Sequence, residues 1–400
     1  MSTRSAVVAG HICLDIIPAF GAMPGHGGPV VEPGKLVNVG PASLATGGAV
    51  SNSGLALHRL GIPTRLMGKI GDDLFGRAIL DIVTSRDPAL AAGMIVSADS
   101  PSSYTVVISP PGIDRSFLHC TGANDTFGPE DVDPAKLRGA DLFHFGYPPL
   151  MRRMHQDGGH ELTALLRRAK ETGLATSLDT AHVDVDAPAG RVDWHNLLAL
   201  VMPYVDFFLP SLDEALFMLD RVRFEETVSR AGDRNLAVAA GINMLADLAE
   251  QLIAMGAAVV GLKLGDQGFY LRTTGDAARL AQVGDLALGA SWRNCELLAP
   301  AFRVDVVGTT GAGDCAIAGF FAALLHGRDP ADSLIGAVAA GACNVEVADA
   351  ISGIPTWSGL LARIEQGWDR RALDLDVSDW RWDATPGLWR GPHDANPTTA

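Results

Sequence analysis

The sequence predicts an α/β protein, with a mainly parallel central sheet covered by helices on both faces and a second, smaller β layer. Three observations carry this reading. From 141 to 272, apolar runs short enough for buried strands alternate with helical stretches, the pattern left by parallel strands joined through helices. Two separated stretches, 21–46 and 100–120, hold short β-like runs. Finally, Gly308-Thr309-Thr310-Gly311-Ala312-Gly313-Asp314 joins an alternating stretch to the apolar run 316–325, as a strand, turn and helix would.

The chain opens on a strand: Ala6-Val7-Val8-Ala9 is apolar and ends in Gly10. Asp15 follows among apolar neighbours, where a carboxylate is costly without partners; a turn-capping role would supply them. Between 21 and 46, Val30-Val31 and 35–39 predict a hairpin of the small layer. Gly47-Gly48 then lead into a helix over 53–60, with Leu55, Leu57 and Leu60 among its apolar positions and Gly61 as its C-cap. Residues 68–76 predict a strand, a turn and the start of a helix running to Val83. The runs 103–108 and 115–120 return to the small layer.

Strands follow at 141–145, 175–178, 207–209, 259–264 and 269–272, with helices near 158–172, 193–203, 213–221 and 243–256. Sites on such a sheet lie at the carboxyl ends of strands, where Asp15, Glu214 and Asp314 all fall. Residues 273–301 form a Gly/Ala-rich insertion containing Trp292. Phe302, Val304 and Val306 form the apolar side of the stretch leading to the glycine turn, a helix begins near Asp314, and 331–347 is helical too. The segment 356–400 carries Trp357, Trp368, Trp380, Trp382 and Trp389, five of the chain's seven tryptophans, and is expected to pack on the body or on a neighbouring subunit, with 392–400 frayed.

The glycine turn has a chemical use. Without side chains, backbone N–H groups can approach an anion closely, and the helix N-terminus adds roughly half a positive charge. Asp314 can take a proton from an alcohol while those N–H groups hold a phosphoryl group beside it. A glycine turn with an acidic helix cap is the local alternative. The stretch resembles the C-terminal signature of the ribokinase-like (PfkB) carbohydrate kinase family, whose core reads D-T-x-G-A-G-D, and the resemblance continues in chain order through five further blocks over most of residues 5–355.

The resemblance implies a ribokinase-like fold and an ATP-dependent sugar kinase. Asp314 is then the general base, and the backbone of Gly311, Ala312 and Gly313 holds the transferred group. Gly10 with Asp15 five residues on, and Gly47-Gly48-x-x-x-Asn52, match the blocks that hold sugar hydroxyls. Residues 68–76 match a mainly structural G-x-x-G-x-D-x-x-G block. Ser211-Leu212-Asp213-Glu214 stands for the family's N-x-x-E, which organises Mg²⁺ and phosphates through water. Glu214 matches and Ser211 departs from Asn; a helix-terminal charge is the local alternative for Glu214. Residues 263–268 resemble the T-x-G-x-x-G turn under the nucleotide, which assigns Lys263 (in place of Thr), Gly265 and Gly268 to ATP. The lysine would neutralise phosphate charge or point to solvent. Thr310 and Asn344 are assigned to the nucleotide as well, Asn344 being equally an exposed helix amide, and the insertion 273–301 is placed by its position over the adenine. Gly308 stands where the family has the Asp of a monovalent-cation site, which leaves potassium activation in doubt.

On this resemblance, 1–20, 47–99 and 121–356 form the kinase core, 21–46 and 100–120 a discontinuous β-sheet lid through which two subunits pair, and 357–400 a tryptophan-rich C-terminal extension. The alternatives are a nucleoside kinase of the same fold, with Phe20, Tyr104, Phe117 and Phe127 as candidate stacking residues, and a non-catalytic sugar-binding regulatory protein. A phosphosugar substrate would need a basic cluster, for which Arg115, Arg152 and Arg153 are candidates.

Composition narrows the partners. The 400 residues are 48% hydrophobic and 19% charged, enough material for a large core. A net charge of −15 with no basic run argues against nucleic acid or an anionic membrane as partner. The five cysteines are scattered without C-x-x-C spacing, so reduced thiols in a cytoplasmic protein are expected. The first apolar block is too short for a secretory signal, and no run is long enough to span a bilayer.

Overall fold

Strands buried on both faces organise the molecule. A computed structural model describes residues 4–21, 33–34, 36–111, 115–286 and 288–395. Its strands, in chain order, are β1 (Ala6–Gly10), β2 (Cys13–Pro18), β3 (Ala42–Gly47), β4 (Thr64–Met67), β5 (Lys69–Gly71), β6 (Ile95–Ser97), β7 (Tyr104–Ile108), β8 (Ser116–Cys120), β9 (Leu142–Gly146), β10 (Ala175–Asp179), β11 (Phe207–Phe208), β12 (Val259–Lys263), β13 (Phe269–Thr273), β14 (Glu296–Ala299), β15 (Arg381–Asp383) and β16 (Leu388–Arg390).

Ten of them form one sheet in the order β15-β16-β14-β13-β12-β11-β10-β9-β1-β4. The pairs from β4 to β12 are parallel and those from β12 to β15 antiparallel. Every residue of β1, β9 and β10 is buried, which is why these strands read as continuous apolar runs. Successive side chains point to opposite faces: Ala6 and Val8 join one apolar core, Val7 and Ala9 the other. Helices Ala49–Arg59, Ala312–Leu325 and Pro330–Val345 cover the first face; His160–Lys170, Trp194–Val201, Leu212–Leu219 and Ile242–Ala254 cover the second. No helix among the described residues is long and apolar enough to cross a membrane.

The second layer is a four-stranded sheet, β3-β2-β7-β8. Here the structure revises several expectations. The lid strand near 35–39 is absent: 36–40 is irregular, and 30–31 and 35 lie outside the described residues. The strand is β3, one step later, because Gly40 and Pro41 end the earlier run and 42–47 pairs with all of β2. Residues 13–18, assigned with 1–20 to the core, belong to this small sheet. The chain leaves the main sheet at Gly10, whose φ is +121° and where a Cβ would lie 2.3 Å from the Gly146 carbonyl oxygen. The stretch 302–306 forms no strand; only Phe302 bridges, to Arg370, and Val306 and Val307 are exposed.

The insertion 273–301 contributes β14 to the main sheet. Trp292 is buried against Phe207 and Phe320 rather than lying over a ligand site, since its large ring is better satisfied in the core. The extension is likewise no separate unit. Its β16 pairs with β14, Trp380 meets Tyr270, and Trp368 stacks on Phe302.

Candidate active site

Strand ends and helix starts converge on a cavity of about 590 Å³. Its lining includes Gly311, Ala312, Gly313 and Asp314 from the glycine turn, Glu214 after β11, and Lys263, Gly265 and Gly268 around the end of β12. Apolar walls come from Phe302, Val304 and Val306 on one side and Val338, Ala342 and Val345 on another.

Asp314 sits in the first turn of helix Ala312–Leu325 and is only 2% exposed. Gly311, at φ +73°, is the N-cap, and no side chain closes this end of the helix. Three donors from two other elements hold the carboxylate. Asn52 Nδ2 (3.0 Å) and the Tyr147 hydroxyl (2.7 Å) donate to Oδ2, and Ser53 Oγ (3.2 Å) donates to Oδ1. Asn52 and Ser53 stand on helix Ala49–Arg59, which packs across the same core face. Tyr147 follows β9 with φ +69°, ψ +45°, a left-handed conformation that a residue with a Cβ adopts only at a cost.

Lys263 is half-buried beside the turn: a Cβ on Gly313 would lie 3.4 Å from its Nζ. Its ammonium pairs with Asp179 Oδ1 at 2.8 Å. Burial alone would lower the Lys263 ammonium, but Asp179, Glu214 and Asp314 outweigh it and hold it above its usual range. Asp179 is 1% exposed, and its Oδ2 has no partner. Burial pushes its carboxyl up to about 8 against the pull of Lys263, with Glu214 and Asp314 adding to the rise.

This has a consequence for stability. Folded Asp179 keeps its proton to near pH 8, whereas the unfolded chain releases it in the ordinary carboxylate range. The folded state therefore binds the extra proton, and unfolding free energy falls as pH rises through that window. Thermal midpoints measured from pH about 5 to about 8 should fall more steeply for the wild type than for Asp179→Asn. Parallel slopes would remove Asp179 from this role.

Ser211, where the resemblance expects Asn, caps helix Leu212–Leu219. Its Oγ accepts from the Glu214 N–H at 3.4 Å, and Glu214 Oε2 accepts from the Ser211 N–H at 2.9 Å, a reciprocal capping box. The same Oε2 accepts from Thr180 Oγ1 at 2.8 Å. Glu214 is thus both a helix-terminal charge and a wall of the cavity.

The remaining predicted residues lie on the far side of Asp314 and do not line the cavity. The Asp15 carboxylate packs against Gly47, where a Cβ would meet its Oδ2 at 2.3 Å, and accepts from Cys13 Sγ at 3.3 Å. Burial raises its carboxyl. Gly48 lies against His11, and the Oδ1 of Asn52 is buried without a partner. Asp15, Gly47, Gly48, Asn52 and Asp314 therefore form a chain of neighbours along the start of one helix.

Thr310 and Asn344 do not line the cavity. Thr309 does so in place of Thr310 and accepts a bond from Arg115 Nη2 at 3.3 Å. Positions 338, 341, 342 and 345 share the cavity-facing side of helix Pro330–Val345. Asn344 lies off that face, buried, with its Nδ2 donating to the Ala350 carbonyl at 2.7 Å.

Two further expectations meet other surroundings. Arg153 is committed to Glu130 and Glu161. Phe127 is core, and Tyr104 packs edge-on to Phe75.

Sequence reasoning missed Asp179, Ser53 and the hydroxyl of Tyr147. It also missed His11, whose Nε2 lies 3.3 Å from His119 Nε2 and which burial, then His119, lowers to about 3. Asp179 carried a usable signal: it directly follows the predicted strand 175–178 and ends β10 in the structure.

Comparison with known proteins agrees with this fold. The family model described as pfkB family carbohydrate kinase matches residues 4–357. The chain is 25% identical over 372 residues to fructokinase-1 of Zea mays, covering 88% of this chain and 98% of that protein. It is 25% identical over 362 residues to an ATP-dependent ribose-1-phosphate kinase of Halopiger xanaduensis, covering 90% and 98%. The structure of Arabidopsis thaliana ribokinase complexed with ribose and ATP superposes with a TM-score of 0.67 at 19% identity, covering 90% of this chain and 98% of that one.

Proposed function

The chain belongs to the PfkB family of carbohydrate kinases, and on that premise we propose that it transfers the γ-phosphoryl group of ATP to a sugar hydroxyl with Asp314 as general base. The observation that carries this is a buried carboxylate at the mouth of an uncapped, glycine-bordered helix start, held by three donors and facing a cavity of about 590 Å³.

In this mechanism Asp15, the Gly47 and Gly48 backbone and Asn52 hold the sugar. Asp314 takes the proton from the acceptor hydroxyl, whose oxygen forms a bond to the γ-phosphorus. The bond from that phosphorus to the β–γ bridging oxygen breaks, and ADP leaves. The Tyr147 hydroxyl already donates to Oδ2, so the acceptor joins or displaces it there. Backbone N–H groups of Gly311 and Gly313 face the charge that develops on the transferred group, while the expected third donor, the Ala312 N–H, is engaged by the Thr309 carbonyl at 3.3 Å. Lys263 brings a fixed ammonium beside them. Phosphoryl transfer is mainly positioning and charge stabilisation, so these groups suffice.

No group of three metal-ligating side chains occurs among the described residues. Mg²⁺ takes one or two carboxylates and otherwise phosphates and water, and Glu214 supplies a carboxylate on the cavity wall. Glu214 would hold it, and it would neutralise phosphate charge there. Arg115, beside β8, ties the small sheet to Thr309, which supports a lid that closes over the transferring group and keeps water out.

The test is Mg-ATP turnover against a panel of sugars, phosphosugars and nucleosides. Phosphorylation of a sugar is the expected result; activity confined to nucleosides would move the chain to the alternative acceptor class. On the accepted sugar, Asp15→Ala should raise KM roughly 10- to 100-fold, the loss of a charged hydrogen bond. An unchanged KM would place the sugar elsewhere.

A further inference from the structure

Residues 358–400 lie beyond the family match, yet part of this extension is stitched to the rim of the cavity. The Arg371 N–H donates to the Ala301 carbonyl at 2.8 Å and the Arg303 N–H to the Asp369 carbonyl at 2.8 Å, a short two-stranded contact centred on the Phe302–Arg370 bridge. Trp368 Nε1 donates to the Arg303 carbonyl at 3.1 Å. The Asp374 N–H donates to Gln267 Oε1 at 2.9 Å, which fastens the same segment to the turn after β12.

Phe302 is held in a stack. Trp368 lies parallel to it at 4.2 Å between centroids, and the Arg370 guanidinium stands 3.6 Å from its centroid. Both groups cannot share one face at those distances, so the ring is sandwiched and shows the cavity an edge. A nucleobase therefore does not find its stacking partner in Phe302, the aromatic ring of the apolar wall.

Arg371, the next residue, does line the cavity. Its Nη2 reaches Asp266 Oδ2 at 3.0 Å, and the other oxygen of Asp266 accepts from Asn235 Nδ2 at 2.6 Å. The guanidinium is thereby fixed at the rim, where Arg371 and Asp266 are each 45% exposed. The charged residues lining the cavity are four carboxylates and two cations, and the second cation, Lys263, is committed to Asp179 beside the glycine turn. The phosphoryl end is thus served from inside, and Arg371 stands among the apolar walls. A guanidinium held flat by a carboxylate stacks on aromatic faces.

We propose that the C-terminal extension is a working part of the nucleotide site, with residues 368–374 holding its rim and Arg371 stacking on the base of the bound nucleoside triphosphate. The proposal rests on the cavity being the nucleotide site.

The experiment is calorimetric titration of full-length wild type and Arg371→Ala with a non-hydrolysable ATP analogue and with adenosine. A weakening of about three- to thirtyfold for both ligands is expected, with thermal midpoint and sugar KM unchanged. Weakening for the ATP analogue alone would overturn the base contact and point to a phosphate contact. Equal affinity of the two proteins would overturn the proposal while leaving the kinase reading intact. Failure of the wild type to bind the ATP analogue would sink the nucleotide site itself. A fall in thermal midpoint or a rise in sugar KM would show a structural role instead.

Discussion

Asp314→Asn is expected to lower kcat by at least ~10²-fold while the protein keeps its thermal midpoint, because the change removes the base and spares its surroundings. The carboxylate receives Asn52 and Tyr147 on Oδ2 and Ser53 on Oδ1. An asparagine that puts its oxygen in the Oδ2 place still accepts from Asn52 and Tyr147. Its amide then faces Ser53, whose hydroxyl can accept as readily as donate. All three contacts survive, so loss of turnover cannot be blamed on misfolding. Steady-state kinetics beside a thermal melt checks it, and near-normal turnover in the variant would strip Asp314 of the proton-accepting role.

Gly48→Ala is expected to destabilise the protein by roughly 2–6 kcal/mol, from backbone strain and overpacking together. Gly48 has φ +88° and ψ +165°, a region that only glycine occupies readily. An added Cβ would lie 2.4 Å from His11 Nδ1 and 2.6 Å from the His11 carbonyl oxygen. The ring could turn, but the backbone oxygen is anchored by the Val50 N–H at 3.1 Å. Gly61→Ala is the control: φ is +84°, yet nothing lies within 4 Å of the added carbon, so only the conformational cost of about 1–2 kcal/mol applies. Urea or thermal unfolding of both variants reads the difference, and equal losses would show that contact with His11 is not what makes the position glycine.

Much of the site was legible in the chain. Glycine spacing marks places where the backbone must approach something closely, and the structure brings Gly47, Gly48, Gly311 and Gly313 against Asp15, His11, Ala350 and Lys263 respectively. The β–α alternation was legible because strands buried on two faces and helices buried on one leave different periods. Tyr147 and Ser53 were not, since nothing local marks a hydroxyl that will meet a carboxylate more than 160 residues away. Thr310 and Asn344 were placed by resemblance alone. Which of two adjacent threonines, or of neighbouring helix positions, faces a cavity depends on the rotation of a helix against its neighbour.

By itself the sequence determined the alternation of strands and helices from 141 to 272 and the glycine-bordered helix start with its carboxylate. These follow from side-chain period, backbone freedom and the dipole of a helix end, which act over a few residues. Tertiary structure alone decided that residues 13–18 leave the main sheet, that Lys263 pairs with Asp179, and that the tryptophan-rich extension closes on the rim at Phe302 and Arg371. Those outcomes turn on which distant surfaces bury one another and which buried charge finds a partner, and a linear sequence does not display either.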